Sequence, residues 1–203
     1  MDLQQLRDSV KPLMDERRYR HTLSTEEVSY DLALIHGCDT MKASIAGILH
    51  DCAKNFSDEN LMEECEKYRL PVSKVEKQRV ILLHAKVGAA FAKDIFKIDD
   101  EDILKAIDSH TTGRPGMSLL EKIIFTADYI EPLRQPIPRI DEIRHMAYQN
   151  LDVAITMIAQ NTLDYLNSTG EPIDTLTIET YEFYRALTLP HSKADRKALT
   201  NAD

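Results

Sequence analysis

The residue types able to do chemistry in this chain sit where apolar side chains would be expected. His84 falls on a stripe with Val80, Val87 and Phe91 at helical steps, His110 follows Ile103 and Ile107, and Asp128 lies four residues after Ile124. His50 shares a helix face with Ala43 and Ala46, and His21 continues backwards the stripe of Val28, Leu32 and Ile35. One buried histidine bonded to a carbonyl is ordinary. A set of imidazoles and a carboxylate buried separately, each without a partner, would cost several kcal/mol apiece, so they are expected to share one. A divalent transition metal meets that need. Imidazole and carboxylate donors without matching cysteines suit Fe, Mn, Zn, Ni or Co in an open site rather than a closed thiolate site. Asp51, directly after His50, belongs to the same group. His36, His145 and His191 are set apart: one at a helix end, one in a polar stretch beside Arg144, one in the tail. Cys52 is read as a small buried hydrophobe rather than a ligand.

Helices must position these residues. Apolar residues recur every three or four positions and alternating β-branched runs are nearly absent, which predicts an all-α chain. The pattern predicts helices at about 2–14, 17–36, 40–53, 58–69, 74–97, 100–111, 118–131, 139–167 and 176–187. Gly37 is a helix stop, Ser118 and Glu121 match a capping box, and Asp99 to Asp102 place negative charge at a helix start. TTGRPGM at 111–117 and EPLRQPIPR at 131–139 must interrupt helices. The expected organisation is a single helical domain over 1–190, with a frayed tail at 191–203.

Composition limits the function. The 203 residues are 43% hydrophobic and 29% charged, enough for a full core. Lys plus Arg number 25 against 34 Asp plus Glu, a net charge of −9, which argues against DNA, RNA or an anionic membrane surface as partner. A polyphosphate ligand would need a local positive site. Three cysteines without CxxC spacing fit a reducing compartment, and the opening MDLQQLRDSV has no signal-peptide pattern, so a cytoplasmic protein is expected.

In order, His21, the doublet His50-Asp51, His84, His110 and Asp128 resemble the HD-domain superfamily of metal-dependent phosphohydrolases. The surrounding segments RRYRHTLS (17–24), AGILHDCAK (46–54), LLHAKVGA (82–89), AIDSHTTGRPGMS (106–118) and EKIIFTADYIEPLR (121–134) resemble its YqeK-type family, over about residues 5–187. The resemblance implies a single HD-domain helical bundle with extra C-terminal helices. It also implies symmetrical hydrolysis of diadenosine tetraphosphate to two ADP, with iron as cofactor. Cys52, where an aromatic is expected, and Ala85, where Gly is common, depart from the family pattern at positions that are not ligands. The resemblance further implies His21, His50, Asp51 and Asp128 as ligands of one ion. Asp51 could bridge to a second ion at His84 and His110, or those two histidines could bond a phosphate and the leaving group; the sequence leaves both roles open.

Phosphoanhydride hydrolysis needs charge neutralisation and an activated water in line with the scissile bond. Asp51, His84, His110 and Lys54 form the expected catalytic group, with Lys54 one turn beyond His50 on a continuing helix. Arg18, three residues before His21, the loop Thr111, Thr112, Gly113 and Arg114, and, by resemblance, Arg134 are the expected substrate contacts together with His84 and His110. Tyr181 and Tyr184 are expected to pack in the core rather than on a nucleoside. Two alternatives stand beside this reading. One is an HD phosphohydrolase acting on a cyclic dinucleotide or a nucleoside triphosphate, although HTTGRPG stands where cyclic-di-GMP enzymes carry a GYP signature. The other is a non-catalytic, metal-stabilised binding module. The Met- and Leu-containing helices could support a homodimer.

Overall fold

The computed structural model describes residues 2–134 and 137–189; the expected tail and His191 lie outside them. Among the described residues there are eleven α-helices, two 3-10 turns and no strand, as the periodicity predicts. The helices are α1 (Leu3–Val10), α2 (Glu16–His36), α3 (Thr40–Leu49), α4 (Asp58–Tyr68), α5 (Lys74–Gln78), α6 (His84–Asp94), α7 (Glu101–Ser109), α8 (Leu119–Ile130), α9 (Ile140–Ala147), α10 (Leu151–Thr169) and α11 (Thr175–Thr188). None of them is long and apolar enough to cross a membrane.

Local chemistry accounts for most helix ends. The Asp15 side chain caps α2, and Gly37, at φ +75°, ends it in the left-handed region that glycine tolerates. The Ser118–Glu121 capping box opens α8. The expected helix at 2–14 ends at Val10 and passes into a 3-10 turn over Lys11–Leu13, and three others are also shorter than their periodicity. The segment at 74–97 is interrupted at Arg79, whose extended backbone (φ −131°, ψ 71°) leads into a 3-10 turn over Val80–Leu83 before α6 begins at His84. The segment at 139–167 divides at Asn150, whose side chain accepts from the Asp152 and Val153 amides and starts a new helix. The third, at 40–53, ends at Leu49 and continues as i to i+3 turns, with Lys54 N–H donating to Asp51 O. A hydrophobic period survives a change of turn type, so periodicity alone missed these breaks.

Helix α2 packs on α3 and α8, and α3, α7 and α8 pack on one another. Their buried faces contribute Leu32, Ile48, Leu49, Ile107, Ile123 and Ile124 to one core. Helices α9 and α10 pack on α8, and α11 packs on α10, with Tyr184 of α11 fully buried and accepting a bond from the Met117 amide. A smaller cluster of Ala53, Leu61, Cys65, Leu83 and Val87 supports the turns after His50. Cys52 is likewise buried, its thiol on Gly88 O at 3.5 Å, and burial pushes its pKa up to about 12, which fits a packing role.

The closest approach of α2 and α3 is at Gly47. A Cβ there would lie 3.0 Å from Glu26 Cα and 3.1 Å from Ser29 Oγ, so the missing side chain sets the spacing that brings His21 toward His50. Gly47→Val is therefore expected to lower stability by about 1–3 kcal/mol through overpacking. The check is urea unfolding, and an unchanged midpoint would show that α2 retreats freely.

Candidate metal centre

The expected residues come from separate elements and converge: His21 from α2, His50 and Asp51 just after α3, His84 at the start of α6, His110 just after α7, and Asp128 near the end of α8. His21 Nε2 lies 3.3 Å from His50 Nε2 and 3.1 Å from Asp128 Oδ1. Asp51 Oδ2 is 3.6 and 3.4 Å from the same two nitrogens. Its other oxygen, Oδ1, faces the second pair, 3.2 Å from His84 Nε2 and 3.5 Å from His110 Nε2, and those nitrogens are 3.1 Å apart. Asp51 thus presents one oxygen to each histidine pair.

Which nitrogen each ring offers is fixed from behind. His50 Nδ1 donates to Gly47 O at 2.7 Å, His110 Nδ1 to Ile107 O at 2.7 Å, and His84 Nδ1 to Ile81 O. Each acceptor is three residues back, and for His50 and His110 it is a carbonyl of the last helical turn, where intrahelical donors run out. With the proton held on Nδ1, Nε2 carries a lone pair. His50, His84 and His110 therefore point lone pairs into a dry interior that also holds the Asp51 carboxylate, where His50 is 0% and His84 1% exposed. A cation between them removes that conflict. Bonds of about 2.0–2.2 Å from one ion to nitrogen and oxygen would separate neighbouring ligands by roughly 3.0–3.5 Å, close to the spacings seen. Helices α3 and α7 also aim their negative C-terminal ends at the site. The residues fit two adjoining sites, His21, His50 and Asp51 with Asp128, and Asp51, His84 and His110.

Protonation follows from the same crowding. Burial opposes charge on His21, but bonds to Asp128 and Glu131 outweigh it and raise its pKa to about 9. Burial and the nearby Lys54 ammonium push His84 down to about 4, leaving its Nε2 lone pair free at neutral pH.

The remaining sequence expectations divide. Arg18 NH1 donates to Asp51 Oδ2. Lys54 reaches the site through the turns after Asp51 rather than a continuing helix, with Nζ 3.3 Å from His84 Nε2. Arg134 donates to Asp128 O and Oδ1 at 2.7 and 2.9 Å. Together they line a cavity of about 300 Å³ with Asp51, His84 and His110. Of the 111–114 loop, only Thr111 faces it, with Oγ1 3.2 Å from His84 Nε2 and 3.1 Å from His110 Nε2. Thr112 is bound to α11, its carbonyl accepting from Thr180 Oγ1. Gly113 has φ +65°, and a Cβ there would lie 2.7 Å from Thr180 Cγ2. Arg114 forks onto the buried Glu121 carboxylate through two 2.6 Å bonds. The expected phosphate cradle is thus reduced to Thr111, because packing against α11 and α8 turns the other three residues away. His36 donates to Ala147 O, and His145 bonds Gln149, both away from the cluster.

One residue of the site was not singled out in the sequence. Glu131, 1% exposed, accepts the His21 Nδ1 proton at 3.1 Å and the Leu133 amide at 2.7 Å. It does for His21 what carbonyls do for the other three rings, since His21 lies mid-helix where carbonyls are already used. Its spacing, three residues after Asp128 on the same helical face, was the available signal.

A family model of the HD domain matches residues 18–133, which span all six of these metal-type residues. The chain belongs to the HD-domain family. It is 45% identical over 172 residues to a Halalkalibacterium halodurans protein named symmetrical bis(5'-nucleosyl)-tetraphosphatase, covering 85% of this chain and 91% of that one. Proteins of the same name from Bacillus subtilis and Staphylococcus aureus are 39% and 37% identical, over 92% and 95% of their lengths. These alignments cover 86% and 91% of this chain. A crystal structure from Clostridium acetobutylicum, described as an HD superfamily hydrolase involved in NAD metabolism, superposes with a TM-score of 0.89 at 38% identity. That match covers 93% of this chain and 99% of that one.

Two substitutions test this geometry. Glu131→Ala is expected to weaken metal affinity about 10- to 100-fold by freeing the His21 ring, and Glu131→Gln, which keeps an acceptor oxygen, to weaken it less; competition with a chelating dye reads both. Arg114→Ala is expected to cost about 1–3 kcal/mol of stability by stranding Glu121, with metal affinity unchanged, in parallel unfolding and metal titrations.

Proposed function

We propose that this protein is a metal-dependent hydrolase that cuts diadenosine tetraphosphate at its centre to give two ADP. The observation that carries the reading is Asp51, with one carboxylate oxygen on each histidine pair, inside a cavity ringed by Arg18, Lys54 and Arg134. The full-length relationship to proteins named for that reaction supports it.

His21, His50, Asp51 and Asp128 would hold one ion, and Asp51, His84 and His110 a second. His84 and His110 are read as ligands, because each has already committed its Nδ1 proton to a carbonyl and so has none at Nε2 to give a phosphate. Nitrogen and oxygen donors with positions left open suit iron, with Mn, Co, Ni and Zn as replacements. The chemistry supplied there on metal binding is withdrawal of charge from a phosphate oxygen and acidification of a water molecule.

The chain's own groups do the rest. A tetraphosphate brings several negative charges to a protein that is itself at −9, so attraction must be local. Arg18, Lys54 and Arg134 provide it around the cavity, and Arg17 and Arg20 extend it into an adjoining cavity of about 730 Å³ that Arg18 and Arg134 also line. Lys54 can act as a cation toward phosphate because Asp51 and Asp128 favour its charge, although burial lowers its pKa overall. In the reaction water oxygen bonds to the second phosphorus as its bond to the central bridging oxygen breaks, that oxygen departs with the other ADP, and the two water protons pass to the new terminal phosphates or to solvent. Thr111 Oγ1, beside His84 and His110, would bond an incoming phosphate oxygen.

Chromatography of products from metal-loaded protein is expected to show two ADP per diadenosine tetraphosphate consumed. AMP plus ATP would overturn the symmetrical register, and inertness toward this substrate with turnover of a cyclic dinucleotide would overturn the substrate. Asp51→Asn is expected to reduce turnover at least about a hundredfold, while His145→Ala, outside the cluster, leaves it unchanged.

A further inference from the structure

The central cavity of about 300 Å³ has room for the reacting phosphates, whereas a dinucleoside tetraphosphate also carries two nucleosides that must lie outside it. Two larger cavities adjoin it, and Arg134 lines both of them. The one lined by Arg17, Arg18 and Arg20 offers guanidinium groups but no tyrosine or phenylalanine ring. The other, about 690 Å³ between α8 and α10, shares Tyr129 and Arg134 with the central cavity and is walled by Pro138, Asn161, Asp164 and Tyr165. Its volume falls within the roughly 300–1,000 Å³ of small-molecule sites.

Tyr165 is the unexplained feature of this groove. Its ring is 64% exposed on α10, outside the core, one turn after Asn161. A large aromatic left in water at the mouth of a groove marks a contact surface. Asn161 holds the floor: its amide donates to Pro138 O at 2.7 Å and Tyr129 OH at 3.3 Å, and its side-chain carbonyl has no partner among the described residues. Arg134 forms the boundary, with its guanidinium over the Tyr129 ring, 5.6 Å from the centroid, and its NH2 on Asp128. A nucleotide entering from the groove therefore meets an aromatic face and an amide carbonyl first, then a guanidinium, then the metal-type cluster. That is the order of base, phosphate and scissile bond.

We infer that the groove between α8 and α10 is the nucleoside subsite for one half of the substrate, with its purine stacked on Tyr165 and an exocyclic amine donating to Asn161 Oδ1. The inference rests on the function proposed above in expecting a nucleotide. It adds the face of the molecule on which the base lies and the residue that selects for a base.

The chain contains no tryptophan, so Tyr165→Trp, at an exposed position, introduces a single tryptophan, excited selectively beyond tyrosine absorption, beside the groove. Titration of this variant with ADP is expected to quench its emission saturably, whereas pyrophosphate leaves it unchanged. A Tyr148→Trp control, on the exposed surface beyond α9, stays unquenched. In turnover assays Tyr165→Ala is expected to raise KM for diadenosine tetraphosphate about five- to hundredfold, the worth of one base–aromatic stack, with a smaller change in kcat, and Tyr165→Phe to restore it. No quenching by ADP, together with an unchanged KM in Tyr165→Ala, would overturn the subsite even if the wild-type enzyme makes two ADP. Equal quenching in the Tyr148→Trp control would overturn it as well. Saturable quenching confined to Tyr165→Trp in a protein inert toward diadenosine tetraphosphate would support the subsite and overturn the proposed reaction instead.

Discussion

The constraint on which the rest of the structure depends is the placement of a buried carboxylate, Asp51, between two pairs of imidazoles. In a dry interior such a cluster is unfavourable alone, since lone pairs repel and charges lose their hydration. It persists because the residues around it leave no other arrangement. Nδ1 of each ring is held by a fixed acceptor, and Gly47 lets α2 close onto α3 until His21 and His50 meet. The stored demand for positive charge shows in His21, whose pKa is raised to about 9.

Helix ends meet that demand with economy. His50 and His110 directly follow α3 and α7, where carbonyls run short of donors and the helix dipole is negative. A histidine placed there satisfies a carbonyl with one nitrogen and presents the other to a cation, so one residue both ends the helix and forms the site. His21 cannot do this from the middle of α2, and a carboxylate, Glu131, takes the place of the carbonyl. The same logic explains the loss of Arg114 from the site: a guanidinium beside a buried glutamate forks onto it, and the loop it anchors packs on α11.

Charge is distributed by scale. The molecule as a whole is acidic, which disfavours indiscriminate binding of nucleic acid, while Arg18, Lys54 and Arg134 concentrate positive charge within reach of Asp51 and Asp128. These cations balance the carboxylates of the centre and, under the proposed function, would meet the phosphates of the substrate. Selectivity for a nucleotide over a bare polyphosphate must then come from apolar contact outside the cavity, and Tyr165 lies where such contact would be made.

The sequence by itself determined the all-α class, most helix ends and the six His and Asp residues that converge on one cluster. Each of these is encoded locally, by a 3.6-residue period, by a capping side chain such as Ser118, or by a polar residue on an apolar stripe such as His84 or Asp128. What it could not determine are properties of pairs far apart in the chain. The break at Arg79 that aims His84 inward, the bond between His21 and Glu131 across 110 positions, and the packing of Gly113 against Thr180 arise only when helices meet. Only the tertiary structure decided that Thr111 faces the site while Arg114 does not, because a loop's side chains point where neighbouring helices leave room and charge. Only it decided that Asp51 turns one oxygen to each histidine pair, since that orientation depends on four helices converging on a single carboxylate.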